Sequence, residues 1–90
     1  MSRRNRLEII RDILDIIRKN NNSIKPTPLL RYSNLSSQSF SDYYQELIKK
    51  KFIKEAKDKD DKKYITLTDN GFKYLEKYQT IIEFIDEFNL

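Results

Sequence analysis

The chain has 90 residues, a formal charge of +4 and a pI near 9.3, and its length suits one small hydrophobic core. It contains no Cys, no His, no Trp and a single Gly. Disulfides, the usual metal ligands and general bases, and Gly-rich phosphate loops are therefore excluded. We expect no cofactor, no metal site and no enzymatic activity. A basic pI with 36% charged residues favours binding to a polyanion.

No apolar run exceeds two residues, whereas a membrane-spanning helix needs about 20. The basic start Met-Ser-Arg-Arg has no apolar segment behind it, as a signal peptide would require. We therefore expect a cytoplasmic protein with no membrane partner. The mean hydropathy of −0.80 is compatible with disorder. Five Phe, six Tyr and many Ile and Leu favour a folded core instead.

The first half of the chain predicts two helices. A stripe at spacings of three and four residues predicts a helix over about 4–20, and it comprises Leu7, Ile10, Ile13, Leu14 and Ile17. A run of Asn at 20–22 ends it. A short helix is predicted over about 28–33, with Thr27 as its N-cap and Pro28 at its first position. Its Leu29 and Leu30 face inward, and Tyr32 is expected to be half-buried.

A third helix and a hairpin follow. Ser36 is the expected N-cap of a helix over about 37–50, whose inward stripe is Phe40, Tyr43, Tyr44, Leu47 and Ile48. Its opposite face is polar and comprises Ser37, Gln38, Ser41, Asp42, Gln45 and Lys49. Apolar residues at 52–56 and 64–67 predict the two arms of a hairpin, and residues 57–63 form its charged tip. A last helix over about 69–88 is capped by Thr68, and Gly71 lies in its first turn, where low helix propensity costs least.

This order predicts a mainly α (α+β) fold, the winged helix-turn-helix. Residues 33–36 form the turn, the third helix is the recognition helix, and residues 57–63 are the wing. Residues 1–68 make the body, and 69–90 make the C-terminal helix. Residues 1–57 carry 13 Lys and Arg against six Asp and Glu, whereas 64–90 carry two against five. A polyanion should therefore meet the body and avoid the C-terminal segment.

Four stretches, in the correct order and spacing, carry a resemblance to a known family. They are residues 3–14, 31–36, 43–48 and 64–71, and they resemble the small archaeal winged-helix DNA-binding proteins, which include the ten-kilodalton chromatin-associated "a" type. The resemblance covers essentially the whole chain. It implies binding to double-stranded DNA. It also implies a homodimer whose long C-terminal helices pair as an antiparallel coiled coil.

Two departures from the family pattern affect these expectations. Similar proteins usually have Gly between the recognition helix and the first wing strand, where this chain has Lys51. Lys at a left-handed helix end costs about 1 kcal/mol relative to Gly. The wing tip is neutral rather than basic, because residues 58–63 contain three Lys and three Asp. The neutral tip therefore predicts weak contact between the wing and phosphates.

Residue chemistry assigns the DNA contacts. Guanidinium groups near the N-terminus suit phosphates or the minor groove, and Gln on a recognition helix can pair with adenine. The short helix and its approach should contact the phosphate backbone. The expected set is Arg3, Arg4, Arg6, Lys25, Arg31, Ser36, Ser37, Gln38, Ser41, Gln45 and Lys49, with Lys59 and Lys62 from the wing. The alternative is that these residues form an ordinary solvated surface.

The last helix carries more apolar residues than the body can cover. Leu75, Tyr78, Ile82 and Ile85 have the spacing of a coiled-coil seam, and Ile81, Phe84 and Phe88 add a second stripe. Phe72 and Leu75 can pack on the body. We expect the remaining residues to pair with a second copy. The alternative is a helix that folds back over its own domain.

Two functions stay open at this stage. The first is a homodimeric, nucleoid-associated DNA-binding protein, either a transcription regulator or a chromatin-organising protein. The second is a winged-helix adaptor that binds proteins and not DNA, which the neutral wing would suit.

Overall fold

The computed structural model describes residues 4–90 and contains four helices and one hairpin in that range. Helix α1 spans Arg6–Lys19, α2 spans Pro26–Ser33, and α3 spans Ser37–Lys49. Strand β1 spans Ile53–Lys57, β2 spans Lys63–Leu67, and α4 spans Asp69–Glu87. The predicted order and the winged-helix fold class are confirmed, and the predicted bounds of α1, α3 and α4 are correct to within two residues.

Side-chain caps fix the start of three helices. Asn5 accepts a hydrogen bond from the amide of Glu8, and the Glu8 carboxylate accepts one from the amide of Asn5, so α1 opens with a capping box. Ser36 accepts from the amide of Ser39, and Thr68 accepts from the amide of Gly71. The two predicted caps at Ser36 and Thr68 are therefore confirmed.

The start of α2 differs from the prediction. The helix begins at Pro26 with Lys25 as N-cap, and not at Pro28 after a Thr27 cap. Amides of the first turn have no helical acceptor, so two prolines in that turn sacrifice no hydrogen bond. Pro26 also holds Lys25 in an extended conformation, with ψ of 155°, which sets the boundary one residue before the proline.

The core lies where α1, α2 and α3 meet the hairpin. Eleven buried apolar residues form it: Ile10, Ile13, Leu14, Ile17, Ile24, Leu29, Phe40, Leu47, Ile53, Ile65 and Leu67. The strands are antiparallel, with Ile53 opposite Leu67 and Lys57 opposite Lys63. The sequence analysis did not predict that a third segment, outside β1 and β2, pairs with the hairpin. Ile24 exchanges two backbone hydrogen bonds with Ile65, of 3.2 and 2.7 Å, and so ties the loop before α2 to the hairpin.

Lys51 ends α3 in the left-handed conformation, with φ of 61°. Its amide donates to the Ile48 carbonyl, and the amide of Phe52 donates to the Leu47 carbonyl. This pair of bonds is the Schellman motif, in which Gly is the favoured residue at the left-handed position. The chain therefore keeps a lysine where glycine would relieve backbone strain.

Replacing Lys51 with Gly should raise the free energy of unfolding by about 1 kcal/mol, because Gly adopts this conformation without the Cβ penalty. Urea denaturation measures the change. Lys51→Ala is the matched control, since it removes the same charge and retains the Cβ, and it should give no gain. Equal stabilisation by both variants would assign the effect to charge and contradict the backbone explanation.

Gly71 has a different role from the one predicted. A Cβ atom at this position would lie 2.3 Å from the Phe52 carbonyl oxygen and 3.3 Å from two Leu67 side-chain atoms. The first turn of α4 therefore lies directly against the backbone that enters β1. Gly71 is required by this close approach and is not merely tolerated there.

Three side chains are more exposed than predicted. Leu7, in the first turn of α1, is 51% exposed, and Tyr32 is 56% exposed rather than half-buried. Phe72 is 41% exposed, and Tyr74 packs on the core with Leu75 instead.

Most apolar side chains in the second half of α4 are exposed. The exposed fractions are 51% for Ile81, 55% for Phe84, 37% for Ile85 and 56% for Phe88, and Ile82 is partly buried. A helix of 19 residues is about 28 Å long. The longest dimension of the molecule, 50 Å, reflects this projection.

Candidate nucleic-acid interface

Helix α3 presents a polar face to solvent on the side opposite its core contacts. Ser37, Gln38 and Gln45 are exposed, and Ser41 is partly buried. The Gln38 amide donates a 3.1 Å hydrogen bond to Asp42, so the carboxylate on this face is partly satisfied from within the helix. Lys49 lies at the C-terminal end of the same face, because residues 38, 42, 45 and 49 share one side of a helix. The face therefore offers amide, hydroxyl and ammonium groups.

The turn between α2 and α3 is fixed by a buried serine. Ser33 is 1% exposed, and its hydroxyl donates to the Leu30 carbonyl at 2.6 Å and accepts from the Leu35 amide at 3.3 Å. Asn34 takes the left-handed conformation that ends α2. These bonds set the angle between the two helices of the helix-turn-helix.

Two of the arginines predicted to contact DNA, Arg4 and Arg6, form contacts within the helix-turn-helix. Arg4 pairs with Asp12 at 2.9 Å and donates to the Ser33 carbonyl at 3.1 Å. Arg6 forms an ion pair with Glu46 of α3, which also pairs with Lys50. The segment that leads into α1 thus braces the turn and the recognition helix. Arg3, predicted with them, lies outside the described residues.

The other predicted cations form no ion pair within residues 4–90. They are Lys25, Arg31, Lys49, Lys59 and Lys62, and all five are exposed. Arg31 lies over the ring of Tyr32, 5.6 Å from its centroid. Lys25 and Arg31 belong to the start and end of α2, and Lys49 belongs to α3. Lys25, Arg31 and Lys49 are therefore exposed cations of the helix-turn-helix that form no ion pair within residues 4–90.

The wing is ordered by one aspartate and is not basic. The Asp58 carboxylate accepts from the amides of Asp60 and Lys62 at 2.9 and 3.0 Å. Asp60, Asp61 and Lys62 share a groove with Lys25 at the start of α2. The carboxylates there lower the positive potential, as the neutral composition of the tip predicts.

Tyr44 links the recognition helix to the hairpin. Its hydroxyl donates a hydrogen bond to the Glu55 carboxylate of β1, and Lys63 of β2 lies 3.5 Å from the same carboxylate. Burial raises the pKa of Tyr44, and the bond to ionised Glu55 raises it further. The same bond lowers the pKa of Glu55. Sequence reasoning placed Tyr44 in the core stripe and missed this second contact.

Replacing Tyr44 with Phe should lower the free energy of unfolding by about 1 kcal/mol at pH 7, a value reduced for the exposure of Glu55. Because the folded-state pKa of Glu55 lies below its ordinary value of 4.5, the contribution is present above pH 4.5 and is lost as the pH falls further. Denaturation of both proteins at pH 7 and pH 3 measures this. A difference that persists undiminished at pH 3 would assign the loss to packing.

No metal site and no membrane-spanning helix emerges from residues 4–90. Within that range no three His, Cys, Asp or Glu side chains cluster in a way that could hold a metal ion. None of its helices combines the length and apolar character needed to cross a bilayer.

A winged helix-turn-helix body with an exposed polar recognition helix defines the structural class, and comparison with known proteins agrees. The family model described as "Winged helix-turn-helix" matches residues 3–86, so the chain belongs to the winged helix-turn-helix family. The resemblance drawn from the four sequence motifs is thereby confirmed for the fold. No curated protein matches the sequence significantly.

Solved structures similar to this one include the following two. Sso10a-2, a DNA-binding protein from Sulfolobus solfataricus, is 19% identical, with a TM-score of 0.73 over 96% of this chain and 86% of that chain. F93 from STIV, a winged-helix DNA-binding protein, is 20% identical, with a TM-score of 0.72 over 90% of this chain and 92% of that chain. At these identities the likeness concerns the fold.

Proposed function

We propose that the protein binds double-stranded DNA, with α3 in the major groove. The observation that carries this proposal is the polar outer face of α3, with Lys49 at its end and Lys25 and Arg31 at the two ends of α2, all three exposed and without an ion pair within residues 4–90. The groups suit the two parts of such an interface, since Gln and Ser can read base edges and Lys and Arg can contact phosphates. Both similar structures are described as DNA-binding proteins, which supports the proposal.

A duplex titration at two salt concentrations tests the proposal. Each neutralised phosphate contributes a slope of about −0.9 to the dependence of log K on log salt. Four or five contacts should therefore weaken binding by about 100-fold or more between 50 and 200 mM salt. Fluorescence anisotropy of a labelled duplex measures the affinity. No binding to any duplex at 50 mM salt would contradict the proposal.

Negative charge introduced on the outer face of α3 tests whether that face contacts DNA. Gln38→Glu with Gln45→Glu places two carboxylates where phosphates approach, and we expect at least a 100-fold loss of affinity. The matched control is Gln79→Glu with Thr80→Glu, which adds the same charge on exposed positions of α4. Equal losses in the two double variants would indicate a general effect of net charge and not contact by α3.

The choice between regulator and chromatin-organising protein depends on sequence preference. A regulator discriminates its site from unrelated duplex by about 10³-fold or more, whereas a chromatin-organising protein relies on phosphate contacts that are independent of sequence. Selection from a random duplex pool decides between them. Association with the nucleoid follows from either role.

The neutral wing favours the alternative of a protein-binding adaptor. Asp60 and Asp61 share a groove with Lys25 and would repel phosphates there. An adaptor should show no salt-dependent duplex affinity, so the titration at 50 mM salt separates the two functions.

We also propose that the protein is a homodimer that pairs through the distal half of α4, with the two helices antiparallel. The exposed fractions of Ile81, Phe84 and Phe88 support an apolar partner surface. The acidic residues Glu83, Asp86 and Glu87 lie in the last turns, and in an antiparallel pair they approach the basic body of the other copy. A parallel pair would bring the two acidic ends together.

A further inference from the structure

An unexplained apolar side chain lies where α4 crosses the start of α1. The Tyr74 hydroxyl donates a 2.8 Å hydrogen bond to the Leu7 carbonyl, so the two residues are neighbours. The Leu7 side chain is nonetheless about half exposed, although the sequence pattern places it in the inward stripe of α1. The body therefore leaves an apolar surface open beside Tyr74.

This surface continues along α4. Tyr74 stacks on Tyr78, with ring centroids 6.3 Å apart, and Ile81, Ile85 and Phe88 follow at spacings of three, four and three residues. Residues with this spacing share one side of a helix. We call Tyr74, Tyr78, Ile81, Ile85 and Phe88 the α4 strip. It runs about 21 Å from the body to the end of the helix, with Leu7 at its body end.

The C-terminal end of the strip is fixed by a helix cap and by packing between two Phe rings. Asn89 takes the left-handed conformation, and the amide of Leu90 donates to the Ile85 carbonyl at 2.9 Å, which closes α4 with a Schellman bond. Phe84 and Phe88 pack together with ring centroids 4.9 Å apart. The last turn thus presents an ordered cluster of exposed apolar side chains.

We infer that the last turn of α4 in a second copy, through Phe88 and Leu90, docks on Leu7 and Tyr74 of the first. The inference rests on the proposed antiparallel dimer and extends its interface from α4 to α1. A two-fold axis near the middle of the strip places each end of one strip beside the opposite end of the other. Charge supports this occupant, because Asp86 and Glu87 would approach Arg6 and Arg11 of the other α1 and Lys77 of the other α4. Arg6 and Arg11 also pair with Glu46 and Asp12 within their own copy.

The docking surface adjoins the contacts that position the recognition helix. Arg6 pairs with Glu46 of α3 and directly precedes Leu7. Arg4, two residues earlier, donates to the carbonyl of the turn residue Ser33. The second copy would therefore cover the same short segment that braces the helix-turn-helix.

Disulfide trapping tests the inference, because the chain contains no Cys of its own. In Leu7→Cys with Phe88→Cys, the two positions of one chain are about 20 Å apart, since Leu7 lies beside Tyr74 and Phe88 is 14 residues further along α4. A disulfide requires Cα atoms within about 7 Å. Any disulfide in this variant must therefore join two chains, and we expect oxidation to convert most of it to covalent dimer.

Two controls define the geometry. Leu7→Cys with Thr80→Cys should stay uncrosslinked, because Thr80 is exposed away from the strip. Phe88→Cys alone should also stay uncrosslinked, whereas a parallel pair would join the two Phe88 positions and overturn the inference.

In addition, Leu7→Ser should weaken dimerisation about tenfold with an unchanged circular dichroism spectrum.

The solution mass of the natural chain separates failure of the inference from failure of the proposed dimer. A dimer that gives no covalent product in Leu7→Cys with Phe88→Cys overturns the docking of the last turn and leaves the dimer. A chain that is monomeric at all accessible concentrations overturns both. Unchanged dimer affinity in Leu7→Ser counts against the docking surface alone.

Discussion

Replacing Gly71 with Ala should destabilise the fold by about 3 kcal/mol and lower the midpoint of thermal unfolding by about 15 °C. The added Cβ would lie 2.3 Å from the Phe52 carbonyl oxygen, which belongs to backbone and cannot rotate away. The start of α4 would have to shift from the hairpin, which strains the 3.1 Å bond from the Thr68 amide to that same carbonyl. Calorimetry measures both quantities.

The sign of the effect distinguishes this explanation from helix propensity. Ala is favoured over Gly within a helix by about 1 kcal/mol, so a free first turn would be stabilised by the substitution. Asn70→Ala is the matched control, since Asn70 is exposed and adjacent, and its change should stay within about 0.5 kcal/mol. A Gly71→Ala protein as stable as the natural chain would show that the contact with Phe52 relaxes easily.

Local chemistry made the element order and the caps predictable. Ser36 and Thr68 act through their own side chains on amides three residues ahead, and such bonds depend only on nearby residues. The predicted start of α2 was wrong, and the reason also lies in nearby residues. Two prolines occupy one first turn, and the sequence pattern alone did not show which of them comes first in the helix.

Tertiary contacts decided what sequence reasoning missed. The role of Gly71 depends on the backbone of Phe52, 19 residues away, and the pairing of Ile24 depends on Ile65. The sequence pattern indicated that Arg4 and Arg6 are unpaired basic residues near the N-terminus, because their partners, Ser33 and Glu46, are distant in sequence. Charge type thus indicated where an anion would be attracted, but only the fold distinguished the unpaired cations from the bracing ones.

The composition of the exposed face of α3 was predictable from the sequence. Its contact with DNA remains a proposal. Periodicity placed Gln38, Gln45 and Lys49 on one side of the helix, and the structure exposes all three. Contact with bases also depends on the docking angle and on the shape of the DNA, which the residues of one chain do not determine.

Placing lysines at Ile81 and Ile85 should convert a dimer into a monomer, with dimer affinity reduced at least 100-fold. Both side chains lie on the α4 strip and are substantially exposed in one copy, so the substitutions leave the core of the body intact. In an antiparallel pair Ile81 meets its counterpart at the two-fold axis and Ile85 lies one turn away, so each ammonium group would lose water without gaining a partner. Sedimentation equilibrium should give a mass near 10.9 kDa for the variant and twice that for the natural chain.

The control for charge is Gln79→Lys with Thr80→Lys, which adds the same two lysines on exposed positions outside the strip and should remain dimeric. A persistent dimer in Ile81→Lys with Ile85→Lys would remove the distal half of α4 from the interface.

The monomeric variant also separates dimerisation from DNA contact. Each protomer retains its own α3, so affinity for a duplex with one site should change little, whereas a duplex with two correctly spaced sites should lose about 100-fold, since the second contact is no longer intramolecular.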